Sequence, residues 1–564
     1  MAKAPAVLAP AQGPTYRATG WHLRDLAVTV ESADYWGDAL TTEDVQVRAA
    51  SATRSLKLPQ RFARSVSLNA LAAAVTGIAA IVLTPFLLHH LGVDAYGVWA
   101  LAGSVVGYLE LAELGFGAAS TKLMAEDAGK RPRLVSETLS TSFAVLVALG
   151  LLGGGITVCL AIGAPHWFNI PRGLEASSTA VFLALGISLS VSIPGDTFGG
   201  ALAAYQRYDL RSLSNLLLVA VTTVLTVAAV EAGGTLIAVA VVTATVSIAM
   251  HPIRRLMLYR VDPDVHISRK FVSRTRLGVV AKFSGWMMLA QMTGAISFGI
   301  DLVIIGAVLN IRDVALYAIG SKLGQLAQRA LNEVSTVLLP EAASLAKEGE
   351  HEEVGNLLID GTRLTMLVGI PFALVTGILA RAAVRAWVGR GYDHAATVLA
   401  IFSLVAALWT VINPVEAVVI AAGNIRRFAL SMTAQAVVNV TATVVLVSVI
   451  GLPGPALGTL AGTVLVIAPA FIVLGCSAAH CSLRRFFRGA VVPHLLPTAA
   501  TAGALFGLRH SAEHGRVDAL AIGALGVGMY AAIYYMFSAV PAERAAVAEM
   551  IRRRIINGHH YRRP

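Results

Sequence analysis

The stretch Ser192-Ile-Pro-Gly-Asp-Thr-Phe198 places a proline, a glycine and a carboxylate inside a run that is otherwise apolar, between TAVFLALGISLSV and GGALAAY. The composition of the whole chain explains these surroundings. Of its 564 residues, 56% are hydrophobic and 14% are charged, and the mean hydropathy is +0.70, whereas a soluble domain is about 25% charged. The sequence therefore predicts an all-α polytopic membrane protein.

Apolar segments of about 20 residues, the length that spans a bilayer, recur along the chain after residue 65. Fourteen are predicted, at 66–89, 95–117, 135–162, 177–205, 213–232, 235–253, 278–308, 314–340, 362–388, 394–421, 428–450, 454–478, 491–509 and 517–538. With a cytoplasmic amino terminus, the inner segments hold thirty lysines and arginines and the outer loops seven. This bias follows the positive-inside rule, so we expect a multi-pass protein of the plasma (inner) membrane with both termini cytoplasmic.

Five regions follow from this pattern. They are a flexible cytoplasmic extension (1–65), a first lobe of six helices (66–260), a second lobe of six helices (261–480), a last helix pair (481–540) and a basic cytoplasmic tail (541–564). The formal charge of +11 predicts contact with anionic inner-leaflet lipids rather than with nucleic acid. The three cysteines have no metal-ligand or disulfide spacing, and the sequence predicts no metal site and no cofactor.

The opening stretch recurs in the second half of the chain. The segment VINPVEAVV repeats it 220 residues later, so that Pro414 corresponds to Pro194 and Glu416 to Asp196. A second pair of segments, LGVDAYGVWALAGS and LNIRDVALYAIGSK, matches at an offset of 218. Two matches at nearly one offset indicate a duplication. Because six predicted helices separate the copies, the lobes are expected to form a parallel repeat, related by a pseudo-two-fold axis along the membrane normal.

Three prolines inside predicted helices, Pro194, Pro340 and Pro414, are candidate hinges. A proline removes a backbone hydrogen bond and kinks a helix, and irregular backbone at membrane depth is tolerated only against protein or water. We therefore expect bends at Pro194 and Pro414 at equivalent depths, facing a cleft between the lobes. Asp196 either caps the second half of its helix or contacts a substrate or ion.

Residues 83–126, LTPFLLHHLGVDAYGVWALAGSVVGYLELAELGFGAASTKLMAE, resemble the first two helices of bacterial polysaccharide and oligosaccharide flippases of the multidrug/oligosaccharidyl-lipid/polysaccharide exporter superfamily. Further matches to this family are YQRYDLRSL, GIDLVIIGAVLNIRDVALYAIGSKL, LLPEAASLAKEGE and AAGNIRRFAL, so the resemblance covers roughly residues 60–480. It implies a V-shaped pair of lobes that carries a lipid-linked glycan to the outer leaflet by alternating access, together with polysaccharide assembly enzymes as partners.

A polar face runs along the predicted span 314–340. Its members lie three or four residues apart, which puts them on one side of a helix: Lys322, Gln325, Arg329, Asn332 and Thr336. A lipid-linked glycan presents phosphate and hydroxyl groups, so Lys322 and Arg329 are interpreted as head-group ligands. The alternative is an internal ion pair of Arg329 with Glu333. Asp196 and Glu416 complete the predicted substrate-binding set.

Carboxylates in apolar segments are candidates for carrying a proton or a sodium ion. They are Glu110, Glu113 and Asp301. Ion coupling is considered because no GxxxxGK[ST] loop for ATP occurs in the chain. Asp301 lies near the end of its predicted helix, so a capping or interfacial role is the alternative. Tyr317 is interpreted as an anchor at the membrane interface.

Three functions are compatible with these features. The first is a flippase for a polyprenyl-linked glycan, and the second is a cation-coupled exporter of small drugs or metabolites on the same fold. The third is a polytopic glycosyltransferase or polymerase, which needs a large outer domain with catalytic carboxylates. All predicted outer loops are short, the longest being 163–176, so the chain is predicted not to be an enzyme.

Overall fold

The computed structural model describes the backbone of residues 60–111, 114–541 and 543–544. Side chains are described for the same residues except 60–67, 69–70, 111, 114–115, 281–288, 290–292, 294–298, 327 and 329–337. The predicted extension up to residue 59 and the tail after residue 544 lie outside the described residues.

The described chain forms eighteen α-helices and no strand. The helices are α1 Gln60–Leu91, α2 Val93–Leu111, α3 Leu114–Asp127, α4 Pro132–Trp167, α5 Glu175–Ala204, α6 Tyr208–Glu231, α7 Leu236–Val261, α8 Arg274–Val308, α9 Ile311–Glu348, α10 His351–Ile378, α11 Ala380–Val388, α12 Asp393–Ala421, α13 Ile425–Ile450, α14 Pro453–Gly462, α15 Ala468–Ala478, α16 Leu483–Phe486, α17 Val492–Leu508 and α18 Arg516–Ile533. Single π-helical turns join α14 to α15 and α16 to α17, and a third follows α18.

Eleven helical segments among the described residues are long and apolar enough to cross a membrane, which confirms a multi-pass, all-helical membrane protein. Each overlaps one of the fourteen predicted spans, although the segment His351–Ile378 begins and ends about ten residues before the predicted 362–388. The other three predictions, at 95–117, 278–308 and 314–340, fall on α2 with α3, on α8 and on α9. These segments are helical as expected, while the exact count of fourteen spans stays a prediction.

The duplication predicted from the sequence reappears in the positions of the helices. The same sequence separation, 217 residues, relates three pairs of helix boundaries. They are the ends of α5 and α12, the starts of α6 and α13, and the starts of α7 and α14. The packing repeats as well. Helix α4 packs on α5 as α10 packs on α12, and α6 packs on α7 as α13 packs on α14. The fold therefore contains two lobes of the same topology.

The prolines of the repeated stretch do not break their helices. Both α5 and α12 continue through Pro194 and Pro414. Pro194 lies ten residues before the end of α5 and Pro414 seven residues before the end of α12. Relative to these helix ends the two prolines differ by three residues, about 4.5 Å along a helix, and their equivalent depth in the membrane stays a prediction. Pro340 is exposed inside α9, and the hinge role of all three prolines stays a prediction.

The backbone carbonyl that Pro194 leaves without a donor in α5 lies against a helix of the same lobe. Pro194 cannot donate a hydrogen bond to the carbonyl of Ser190, and this carbonyl faces Gly150 of α4, where an added Cβ would come within 2.8 Å of it. The freed carbonyl thus packs against α4 of the same lobe, and a bend of α5 toward a cleft stays a prediction. Because α5 does not restart after Pro194, the expected capping role of Asp196 is wrong.

The two lobes contact each other through α2, α8 and α9. The hydroxyl of Ser104 on α2 donates to the carbonyl of Gly299 on α8 at 2.9 Å. At the start of α2, Gly97 lies so close to α9 that an added Cβ would come within 2.1 Å of the Ile311 carbonyl oxygen. Only glycine permits this approach of the two backbones.

A buried arginine attaches the last helix pair to the second lobe. Arg363 on α10 donates to the hydroxyl of Tyr534 at 3.0 and 3.3 Å and to the carbonyl of Ser538 at 3.1 Å. It also forms an ion pair with Glu543 at 3.2 Å. The ring of His494 on α17 stacks on Tyr534, with 4.7 Å between centroids. Packing and charge together thus fix α17 and α18 against α10.

Replacement of Arg363 by alanine tests this attachment. Arg363→Ala leaves the Glu543 carboxylate and the Tyr534 hydroxyl without their donor, and since Glu543 is 35% exposed we expect a loss of about 2–3 kcal/mol in the free energy of unfolding. Reversible unfolding in mixed micelles measures this quantity. Arg390, which is exposed and makes no ion pair with another described residue, provides the control, and equal losses in Arg363→Ala and Arg390→Ala would contradict the prediction.

Candidate functional site

A buried carboxyl group lies at the centre of the second lobe. Asp301 on α8 is completely buried. Its carboxyl oxygens accept hydrogen bonds from Tyr317 on α9, from Thr443 on α13 at 3.3 Å and from Thr459 on α14 at 3.3 Å. Asn439 on α13 donates to the Thr459 hydroxyl at 3.0 Å. These five residues, which we call the Asp301 cluster, join four helices.

The location of Asp301 corrects two expectations. A capping or interfacial role is wrong, because the carboxyl group lies in the interior of α8 and is out of contact with any interface. Tyr317 is not an interfacial anchor either, since its side chain is 1% exposed and its hydroxyl donates to Asp301. Burial of a tyrosine at this depth is explained by the hydrogen bond that it makes.

The chemistry of the Asp301 cluster is compatible with binding of a proton or a small cation. Its polar atoms are carboxylate, amide and hydroxyl groups, and no lysine, arginine or histidine in the described part of the chain forms an ion pair with Asp301. A buried carboxylate without a counter-ion is unstable unless it binds a proton or a cation. Oxygen ligands of this kind suit hard cations.

A second polar cluster lies in the first lobe, around the residue of the opening stretch. Arg254 on α7 pairs with Asp196 on α5 at 2.6 Å. It also donates to Ser214 at 3.1 Å and to Asn215 at 2.8 Å, both on α6. The arginine side chain is 6% exposed and that of Asp196 is 43% exposed. This group, the Asp196 cluster, ties α5, α6 and α7 together, with the carboxylate at its open edge.

His251 lies one turn before Arg254 and packs tightly on α5. Its Nε2 is 3.1 Å from the Ser192 hydroxyl, which in turn is 3.0 Å from the hydroxyl of Ser247. A Cβ at Gly195 would lie 2.3 Å from the His251 ring. The glycine of the opening stretch is therefore needed for the close approach of α5 and α7.

The remaining predicted residues are dispersed. Glu110 lies one residue before the end of α2, close enough to Asp196 for their charges to interact. Glu416 is half-buried in α12 and makes no hydrogen bond or ion pair with another described residue. Lys322 donates to the Thr84 hydroxyl of α1 at 3.0 Å, and Gln325 is half-buried on the same helix.

Three predicted residues lie outside the described side chains: Arg329, Asn332 and Glu113. The alternatives for Arg329, head-group binding or pairing with Glu333, are therefore untested. No hydrogen bond or ion pair described for the structure joins Glu110, Asp196 and Asp301 to one another.

Sequence reasoning missed several members of both clusters. Arg254 lies one residue beyond the predicted span 235–253 but still within α7. Asn439 and Thr443 are four residues apart on one face of α13, and this spacing was the available signal for a polar helix face. Thr459 carries no such signal, because single threonines are common in apolar helices.

The helices, the repeated lobes and the buried polar clusters define the class of protein, a polytopic helical membrane protein built from a parallel repeat. Residues 86–397 match the model of a family described as polysaccharide biosynthesis protein. This match covers more than half of the chain, and the chain belongs to that family. Comparison with curated protein sequences gives no match.

Solved structures share the fold at low sequence identity. A structure described as lipid II flippase MurJ in an inward closed conformation is 13% identical, with a TM-score of 0.62, and the alignment covers 83% of this chain and 99% of that one. An inward-facing multidrug resistance MATE transporter is 14% identical, with a TM-score of 0.57 and coverage of 75% and 98%. An outward-facing structure of a multidrug resistance MATE transporter is 15% identical, with a TM-score of 0.55, and the alignment covers 75% of this chain and 96% of that one. The resemblance noted in the sequence is thus confirmed for family and fold.

A double-mutant cycle tests whether Asp196 is bound to Arg254. We expect Arg254→Ala to destabilise the protein by about 3 kcal/mol, because it leaves Asp196 and two polar groups without their donor. The double variant with Arg254→Ala and Asp196→Ala should lose less free energy of unfolding than the sum of the losses in the two single variants. The difference should be at least about 1 kcal/mol. Unfolding in mixed micelles gives these values.

The neighbouring Arg255 is exposed and pairs with no other described residue, so Arg255→Ala is the matched control. Additive effects of the two single changes would mean that Asp196 is free to serve another ligand.

Proposed function

We propose that this protein flips a polyprenyl-(pyro)phosphate-linked oligosaccharide or polysaccharide precursor from the cytoplasmic to the outer leaflet by alternating access. The observation that carries the proposal is the match of residues 86–397 to the polysaccharide biosynthesis family. The fold shared with a lipid II flippase supports it, since that name states a lipid-linked substrate. The protein then acts as a transporter of the inner membrane, with both termini cytoplasmic and with polysaccharide assembly enzymes as partners.

Lys322 supports binding of an anionic head group. Its ammonium lies at a contact between the lobes, and the hydrogen bond described for it goes to the neutral hydroxyl of Thr84. A hydroxyl does not neutralise the positive charge, so a phosphate that replaces Thr84 gains a charge-assisted hydrogen bond. Gln325 lies three residues further on the same helical face, where it can bind a sugar hydroxyl.

The Asp301 cluster supports coupling of transport to a proton or a sodium ion. Its carboxyl group is fully buried and is held by hydroxyl donors from three other helices. Binding of a proton or a cation changes the charge at a point where α8, α9, α13 and α14 meet. Such a change can shift the balance between two arrangements of the second lobe.

A cation-coupled exporter of small drugs or metabolites is the second candidate. The observation that favours it is the fold shared with multidrug resistance MATE transporters. In that case the Asp301 cluster would drive export, and Lys322 would only join α9 to α1. The two functions differ in their cargo, so transport experiments distinguish them.

The flippase proposal predicts which intermediate accumulates in cells that lack the protein. We expect lipid-linked precursor to accumulate on the cytoplasmic face, where added glycosidases reach it only in inverted membrane vesicles. Wild type should clear it and Lys322→Arg should clear part of it. Lys322→Ala should flip at least about tenfold more slowly, because a charge-assisted hydrogen bond is lost.

Lys347 near the end of α9 is exposed and makes no ion pair with another described residue, so Lys347→Ala should behave as wild type. Absence of accumulation, together with a changed tolerance to toxic cations, would favour the drug exporter instead.

The coupling proposal predicts a specific defect in Asp301→Asn. Asparagine retains the size of the side chain and one acceptor oxygen, and its amide N–H groups can donate to the neighbouring hydroxyls, but it cannot carry the negative charge. We therefore expect the variant to fold, as judged by its melting temperature, and to lose its response to the driving ion. Flipping in proteoliposomes, measured with a proton gradient alone and with a sodium gradient alone, identifies that ion.

Asp518→Asn on the exposed start of α18 is the control. The coupling proposal fails if Asp301→Asn responds to both gradients as wild type does, whereas the flippase proposal survives that result.

A further inference from the structure

A shallow apolar groove of about 290 Å³ lies between α4 and the chain that leads into α8. It is lined by Thr141, Ala144, Val145 and Ala148 on one side and by Val272, Ser273, Arg274 and Leu277 on the other. Ala144 and Ala148 lie one turn apart and are exposed, so two small side chains create the depth of the groove. Val272 and Leu277 are 48% and 36% exposed. An open apolar groove on a membrane-spanning helix suits a hydrocarbon chain.

The rim of the groove carries positive charge that no acid in the described part of the chain neutralises. Arg274 lines the groove and makes no hydrogen bond or ion pair with another described residue. Arg269 and Lys270, in the 3-10 turn just before it, are exposed and have no acidic partner among the described residues. Asp127, which pairs with the nearby Arg276 at 3.5 Å, is also engaged by Arg131 at 3.6 Å. The rim therefore attracts an anion.

The far wall of the groove belongs to the segment that connects the two lobes. This connection between α7 and α8 is tied to α4 by three hydrogen bonds from backbone N–H groups to side-chain hydroxyls. His266 donates to Ser136 at 3.2 Å, Ser268 to Ser140 at 3.1 Å and Ser273 to Thr141 at 3.0 Å. A molecule in the groove would touch both α4 and the inter-lobe connection.

We propose that the groove binds an anionic phospholipid, with one acyl chain along Ala144 and Ala148 and the phosphate beside Arg274. The apolar walls and the cationic rim match the two parts of such a lipid, whereas a zwitterionic lipid leaves the rim charge unbalanced. The bound lipid stabilises the connection between the lobes on α4. This role is independent of the glycan cargo and makes transport sensitive to the composition of the leaflet that faces Arg274.

Native mass spectrometry tests the site directly. The full-length protein is released from vesicles of equal parts phosphatidylglycerol and phosphatidylcholine, and the retained lipids are counted. We expect wild type to retain phosphatidylglycerol preferentially. Arg274→Gln should reduce this preference roughly fivefold, the equivalent of about 1 kcal/mol for one basic residue near an anionic surface. Ala148→Trp, which fills the groove, should abolish retention of the lipid.

Matched controls separate a site from general attraction. Arg260 is exposed at the end of α7 and does not line the groove, and Ala521 is an exposed alanine on α18. Arg260→Gln and Ala521→Trp should retain lipid as wild type does. Ala144→Val, a smaller change that narrows the same groove, provides a second test if Ala148→Trp does not fold.

Three results would overturn the proposal. The first is equal retention of both lipids by wild type. The second is a loss of preference in Arg260→Gln as large as that in Arg274→Gln, which means non-specific charge attraction. The third is displacement of phosphatidylglycerol by a polyprenyl phosphate added at equimolar amount, which would assign the groove to the cargo's own tail.

Discussion

The hydrocarbon of a bilayer cannot satisfy a polar group, so a charge buried at membrane depth needs partners inside the protein or in a water-filled cavity. Two charged side chains organise the two lobes in this way. Arg254 gathers Asp196 and two polar side chains and so joins α5, α6 and α7. Asp301 gathers hydroxyl groups from α9, α13 and α14. The packing of the lobes is arranged around these contacts, and the apolar surface fills the space between them.

The two lobes share their helix order but differ in the chemistry of equivalent positions. Asp196 corresponds to Glu416 in the repeated stretch, and at the same offset Arg254 corresponds to Leu474. The acid of the first lobe therefore has a fixed counter-ion, whereas Glu416 has no partner among the described residues. The unpaired acid that is fully buried, Asp301, also belongs to the second lobe. The first lobe therefore has its acid paired with an arginine, whereas the second lobe holds two acids that form no ion pair with another described residue.

Sequence reasoning predicted the helices, the family and the duplication, because apolar length and local motifs are encoded in contiguous residues. It failed where a side chain meets a partner that is distant in the chain. Arg254 follows Asp196 by 58 residues, and Thr443 and Thr459 follow Asp301 by 142 and 158 residues. Pro194 illustrates the same limit. The carbonyl freed by this proline faces Gly150 of α4, and the sequence alone does not identify that neighbour.

The attachment of the last helix pair has a consequence for biosynthesis. Arg363 precedes its partners Tyr534 and Glu543 by 171 and 180 residues. At a synthesis rate of about 5–20 residues per second, α10 is complete roughly ten to thirty seconds before those partners leave the ribosome. During that interval the guanidinium has to remain near the lipid head groups. The final seating of α10 is therefore a late event of assembly, and a chain that is cut short before α18 leaves an arginine exposed to membrane quality control.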